Sequence, residues 1–79
     1  MKVIWESNDV LAGQIVGMDD LKEQWIIGYI IDLQQGIMYC LVSTTDGLVT
    51  PHWPKNEFAE VLTEGGYLPV VLLDRVKRQ

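Results

Sequence analysis

Seventy-nine residues make at most one domain, and a chain that is 48% apolar and 22% charged belongs to the folded rather than the disordered class. The formal charge of −5 comes from 11 carboxylates against six lysines and arginines. This arithmetic excludes a two-domain enzyme with an enclosed cofactor cleft, and it speaks against a nonspecific binder of bare phosphate backbone, which needs clustered positive charge.

A single cysteine, Cys40, and a single histidine, His52, leave no internal disulfide and no Cys-rich zinc site. A short chain without such supports draws its stability from a rich core or from self-association. One cysteine without a disulfide framework suits a reducing compartment. The start, Met1 to Glu6, lacks the apolar core of a signal peptide. No window approaches the roughly 18 uninterrupted apolar residues of a membrane span. The expectation is a cytoplasmic, cofactor-free protein off the membrane. Its charge is uneven: Arg75, Lys77 and Arg78 stand near the end, while residues 1–74 set 11 acids against Lys2, Lys22 and Lys55. The chain therefore reads as one domain over residues 1–79, acidic in its body, with a basic tail from about residue 75.

Glycine and Asp/Asn punctuate the chain, and the runs between them read as strands. The first is Val3 to Glu6, ended by Ser7-Asn8-Asp9. The second is Val10 to Met18, where Gly13 and Gly17 mark a bulge or a sharp bend. Asp19-Asp20-Leu21-Lys22-Glu23 is a polar connection. The third run, Gln24 to Leu33, is the strongest, dense in Trp, Ile and Tyr. Trp25, Ile27, Tyr29, Ile31 and Leu33 share one face, and Ile26, Gly28, Ile30 and Asp32 the other. After a turn at Gln34-Gln35-Gly36 comes Ile37 to Ser43. Asp46-Gly47 then sets up a hairpin into Leu48-Val49-Thr50, completing a three-stranded antiparallel meander from about Gln24 to Thr50.

Pro51 and Pro54 end strand pairing. Asn56 reads as the N-cap of a short helix in which Phe58, Val61 and Leu62 have i, i+3, i+4 spacing, stopped by Gly65-Gly66. A final strand runs from Tyr67 to Val76, with Pro69 placing it at an edge or a strand start. The fold class is mainly β: five to six short antiparallel strands with one short helix before the last strand. A meander of this kind closes most simply into a small barrel.

That order of elements resembles an SH3-like small barrel. The resemblance rests on the glycine-bent strand Ala12-Gly13-Gln14-Ile15-Val16-Gly17, then Trp25 to Ile31, Met38 to Val42, and Asp46-Gly47-Leu48-Val49. The helical turn at Phe58, Val61 and Leu62 and a closing strand complete it. It covers about residues 10 to 73 and is one of architecture. It implies a binding module. Proline-peptide SH3 domains share an acidic loop and an aromatic groove with a tyrosine pair; Trp5, Trp25, Tyr29 and Trp53 are groove candidates here, but no motif matches, so no binding residue is carried over.

The chemistry is sparse. Cys40 and His52 could in principle form a nucleophilic dyad. Cys40, however, lies mid-strand in an apolar run, and no orienting third group or oxyanion loop accompanies it, so the chain reads as noncatalytic. Asp19, Asp20 and Glu23 do not match a calcium loop and read as a solvated turn. The aromatic residues say more. Trp53, in Pro51-His52-Trp53-Pro54, is held by flanking prolines as an interface anchor would be, with His52 beside it. The two-faced strands say most. A closed barrel has one inside, yet Ile26, Ile30, Met38, Cys40 and Val42 give the second face apolar residues as well. That face needs a cover, in part from the helix and in part from another chain.

The expected function is a protein-interaction module that self-associates as a dimer, of the kind found as accessory or inhibitor proteins in bacteria and phages. Trp53, His52, Ile26, Ile30, Met38 and Val42 are its contact residues. The alternative is nucleic-acid association through Arg75, Lys77 and Arg78, against which the acidic body speaks.

Overall fold

The computed structural model describes residues 2–18 and 23–70. Within them lie strands β1 (Ile15–Gly17), β2 (Gln24–Asp32) and β3 (Gly36–Ser43), helix α1 (Lys55–Glu64) and strand β4 (Leu68–Pro69). They form one mainly β unit with a four-stranded antiparallel sheet in the order β3-β2-β1-β4. The count is four strands among the described residues, not five to six. Among the described residues β3 and β4 stand at opposite edges and do not pair with each other.

The β2–β3 hairpin is the backbone of the sheet, paired in register from Trp25↔Ser43 to Asp32↔Gly36. Its turn is tied by the Asp32 carboxylate, whose Oδ1 accepts from the N–H groups of Gln34 (2.8 Å) and Gln35 (2.9 Å). Those two donors, Gln35 the stronger, hold the Asp32 carboxyl below the usual carboxylate range. Here the strand boundaries match the sequence to within a residue.

Elsewhere the strands are shorter than the sequence suggests. The Val3–Glu6 run forms no strand. The Trp5 N–H donates to Thr63 Oγ1 (2.7 Å) and its indole N–H to the Tyr67 carbonyl (2.9 Å), which ties this segment to the end of α1. A 3-10 turn at Ser7–Asp9 follows. The Val10–Met18 run keeps only β1. Ahead of β1, Gly13 N–H donates to Ile27 O (2.7 Å) and Ile27 N–H to Gln14 O (2.9 Å), so two residues face one, as in a bulge. Gly13 has φ 90°, a left-handed conformation that suits glycine.

The third strand of the meander is also absent. Leu48 to Thr50 lies along β3 as the isolated bridge Val42↔Val49, with Ser43 N–H donating to Leu48 O (2.8 Å) and Thr50 N–H to Leu41 O (3.0 Å). The Thr50 hydroxyl, rather than a carbonyl, accepts the Leu41 N–H (2.9 Å), and Pro51 follows, so the chain follows the edge irregularly. The expected last strand ends at Pro69, and residues 71–76 of that expectation lie outside the described residues.

Helix α1 starts one residue before the expected cap. Pro54, not Asn56, is the N-cap, extended at ψ 157°, and its carbonyl accepts the Phe58 N–H (2.8 Å). The proline ring fixes φ near the value such an entry needs. The helix closes as expected on glycine. Gly66, at φ 76°, donates to Thr63 O (3.2 Å) while Tyr67 N–H reaches back to Leu62 O (3.1 Å), the paired bonds of a Schellman ending.

The core forms where α1 and the N-terminal segment lie on one face of the sheet. Phe58, Ala59 and Leu62 of the helix join Trp5, Val10, Val16, Ile27 and Leu41. The helix therefore covers the Trp25, Ile27, Tyr39, Leu41 face, and the expectation that it covers Ile26, Ile30, Met38, Cys40 and Val42 is corrected. Among the described residues no helix is long and apolar enough to cross a membrane.

Candidate interaction surface

Length decides what the helix can shield. Nine residues of β2 span about 30 Å, whereas ten residues of α1 span about 15 Å. The helix lies over the end of the hairpin nearest β1, as far as Tyr39, whose ring stacks on Phe58 with centroids 5.9 Å apart. Beyond Tyr39 the helix-side face of the hairpin runs on uncovered. Tyr29, Ile30, Ile31, Leu33 and Ile37 are all exposed there: Ile31 is 70% exposed and Leu33 fully so. Tyr29, Ile31 and Ile37 belong to the same face as the buried Ile27 and Leu41, yet Tyr29 stands at the limit of the cover, opposite Tyr39, and Ile31 and Ile37 lie past it.

The backbone of this end is as open as its side chains. Trp25 and Ile27 direct their main-chain groups toward β1, and by the two-residue period so do Tyr29 and Ile31. The chain turns away at Gly13, so the N–H and C=O of Tyr29 and Ile31 have no partner among the described residues. On the opposite edge, Trp53, Thr50 and Leu48 bond to Tyr39, Leu41 and Ser43 in turn, and Ile37 is left open in the same way.

The expected contact residues do not form one patch. Trp53 is half-buried, fixed by two bonds to Tyr39 (Tyr39 N–H to Trp53 O, 2.7 Å; Trp53 N–H to Tyr39 O, 2.9 Å), and its ring lies 6.1 Å from Phe58. It forms the wall of an open groove with Glu57, Glu60, Val61 and Glu64. His52 is half-buried next to it. Ile26 and Ile30 are partly exposed on the sheet face turned away from α1, while on that same face Met38 (8%) and Cys40 (4%) are buried and Val42 is half-buried. Met38 thus offers little surface. Arg75, Lys77 and Arg78 lie outside the described residues, as do Asp19 and Asp20.

Two electrostatic features frame these surfaces. The described residues carry eight carboxylates and two lysines, and Glu57, Glu60 and Glu64 line up on α1 at spacings of three and four. Like charges at those spacings cost a few tenths of a kcal/mol each. The exposed end of the hairpin contains one charge, Asp32, and that carboxylate is folded onto its own turn. The free thiol of Cys40 is pushed up by burial, opposite to the shift that activates a nucleophile.

Tyr29, Ile31, Leu33 and Ile37 are the site residues that sequence reasoning missed. Alternation put the first three and Ile37 on inward faces. The available signal was the mismatch between a hairpin with strands of nine and eight residues and a helix of about three turns. Set against known protein families, curated proteins and solved structures, the chain gives no significant match to any.

Proposed function

We propose that this protein is a noncatalytic protein-interaction module whose contact surface is the uncovered end of the β2–β3 hairpin. The observation that carries this reading is the coincidence of exposed apolar side chains at Tyr29, Ile30, Ile31, Leu33 and Ile37 with open strand edges at Tyr29, Ile31 and Ile37, in described residues that set eight carboxylates against two lysines. Apolar side chains in one contiguous set mark contact sites on soluble domains, and open strand edges bind other strands. The rigid Trp53 with its groove of Glu57, Glu60 and Glu64 suits an adjoining basic segment. A noncatalytic role is supported by the raised thiol of Cys40, and a reducing compartment by that thiol being free. The finer architecture, an SH3-like barrel, belongs to the proposal too. It is supported by the bulge before β1 and by a helix placed just ahead of the last strand.

The test compares wild-type protein with Leu33→Lys, a fully exposed position, as baits in quantitative affinity capture from cells that express the protein. The reading expects protein partners to be lost from the variant while its circular dichroism and melting stay unchanged. Equal recovery of every partner on both baits would refute it.

A further inference from the structure

We infer that the partner seated on the open edge of β2 is a second copy of this chain, paired antiparallel about a two-fold axis through Ile30. The inference rests on the reading of the hairpin end as a contact surface and names its occupant.

Three observations select a second copy. The first is register. On the open edge, Tyr29 and Ile31 both turn their N–H and C=O outward, with Ile30 between them. Antiparallel strands pair in alternation, so a two-fold at Ile30 sets Tyr29 opposite Ile31 of the second copy and Ile31 opposite its Tyr29. All four outward N–H groups then find a carbonyl. The β3 edge exposes only Ile37 in this way and could not match it. The ladder stops by itself at Ile27, whose outward groups already bond Gly13 and Gln14. Leu33 is thereby brought to the Leu11–Gly13 turn of the second copy, where Leu11 is also exposed.

The second observation is area. Taking about 200 Å² for a fully exposed large residue, Tyr29, Ile30, Ile31 and Leu33 present on the order of 500 Å² per chain. A symmetric contact could bury up to roughly 1,000 Å², the size of a weak, reversible pair.

The third is charge. Two chains of formal charge −5 repel, and they can approach most closely where they carry least charge. The hairpin end holds only Asp32, retained on its own turn by Gln34 and Gln35. Strand exchange there sets apolar side chains together: Ile30 beside Ile30, and each Ile31 beside a Tyr29, an aromatic–β-branched pair of the kind that stabilises sheets.

The experiment is analytical ultracentrifugation of the full chain from low micromolar to hundreds of micromolar, with two variants. Wild type is expected to pass from monomer to dimer. Ile31→Pro removes an N–H that the monomer does not use and that the dimer needs twice. Proline is tolerated on such an edge, so the fold should persist while association weakens by roughly tenfold or more. Ile30→Cys under mild oxidation with diamide should give a covalent dimer, because directly opposed residues at such a position sit about 4.5 Å apart, within disulfide reach. Ile37→Cys, on the far edge, should not. If Ile31→Pro fails to fold, the pair of cysteine variants decides. A wild-type monomer throughout the range, a dimer untouched by Ile31→Pro, or crosslinking at position 37 rather than 30 would overturn the inference. In those cases the capture comparison with Leu33→Lys still judges the broader interaction reading separately.

Discussion

Ile27 and Ile31 are the same residue type on the same face of the same strand, yet one is 1% exposed and the other 70%. Truncating each to alanine removes identical atoms from opposite environments. At Ile27 the loss combines the transfer free energy of a buried side chain with the cavity left among Val16, Leu41, Phe58 and Leu62, about 3–4 kcal/mol. A chain of this length has a total stability on the order of 4–12 kcal/mol, so Ile27→Ala removes about a quarter or more of it. At roughly 4–8 °C per kcal/mol, the midpoint of thermal unfolding falls by roughly 12–30 °C. Ile31→Ala should change monomer stability by no more than about 1 kcal/mol, the span of strand propensity. Its effect should appear in self-association instead. The assay is urea denaturation followed by tryptophan fluorescence at low micromolar concentration, with unchanged slopes confirming that both variants unfold from the same native state. Equal losses for the two variants would refute the reasoning, because Ile31 would then be packed in the monomer.

Three further outcomes follow from individual contacts. Thr63→Val deletes the hydroxyl that accepts the Trp5 N–H and donates to Ala59 O (2.9 Å), and it should cost about 1–3 kcal/mol with a red shift of indole emission; an unshifted spectrum and unchanged midpoint would count against the tether. Burial raises both the Cys40 thiol and the Tyr67 phenol, so the unfolded chain ionises first. Stability should hold below the ordinary thiol and phenol ranges and decline as pH rises through them, and Cys40→Ala should remove the thiol part of that decline. The Asp32 carboxyl is lowered, so its contribution is present above the usual carboxylate range and disappears as acid protonates it; a pH titration of Asp32→Ala should lack that part of the acid limb, and an identical acid limb would contradict the turn geometry.

What the sequence made legible follows how local each signal is. The β2–β3 hairpin was readable because alternation, β-branched content and a turn residue all agree over residues 24–43. The glycine stop of α1 was readable for the same local reason. Val3 to Glu6 misled because its fate is set by partners about sixty residues away, Thr63 and Tyr67, which no window of sequence contains. Leu48 to Thr50 misled because a side-chain hydroxyl, that of Thr50, takes the place of a ladder carbonyl. The candidate surface was half legible. An excess of apolar residues over what one interior needs was visible in composition, but its position was not. Parity assigned the excess to the Ile26 and Ile30 face. The fold instead places much of it beyond the end of the helix, on both faces, with Ile30 on one and Tyr29 and Ile31 on the other. Only the relative lengths of strand and helix could have shown this, and they depend on which face the helix chooses.

Hydrogen exchange at the Tyr29 and Ile31 amides, followed as a function of protein concentration, tests the central claim most directly. Both N–H groups point away from β3 and have no partner in the monomer among the described residues. The account predicts fast exchange at low concentration and protection that grows with concentration, in step with the dimer, while the Ile27 amide, bonded to Gln14 O, stays protected throughout. Protection of Tyr29 and Ile31 that does not vary with concentration, or fast exchange that persists in the associated state, would contradict it.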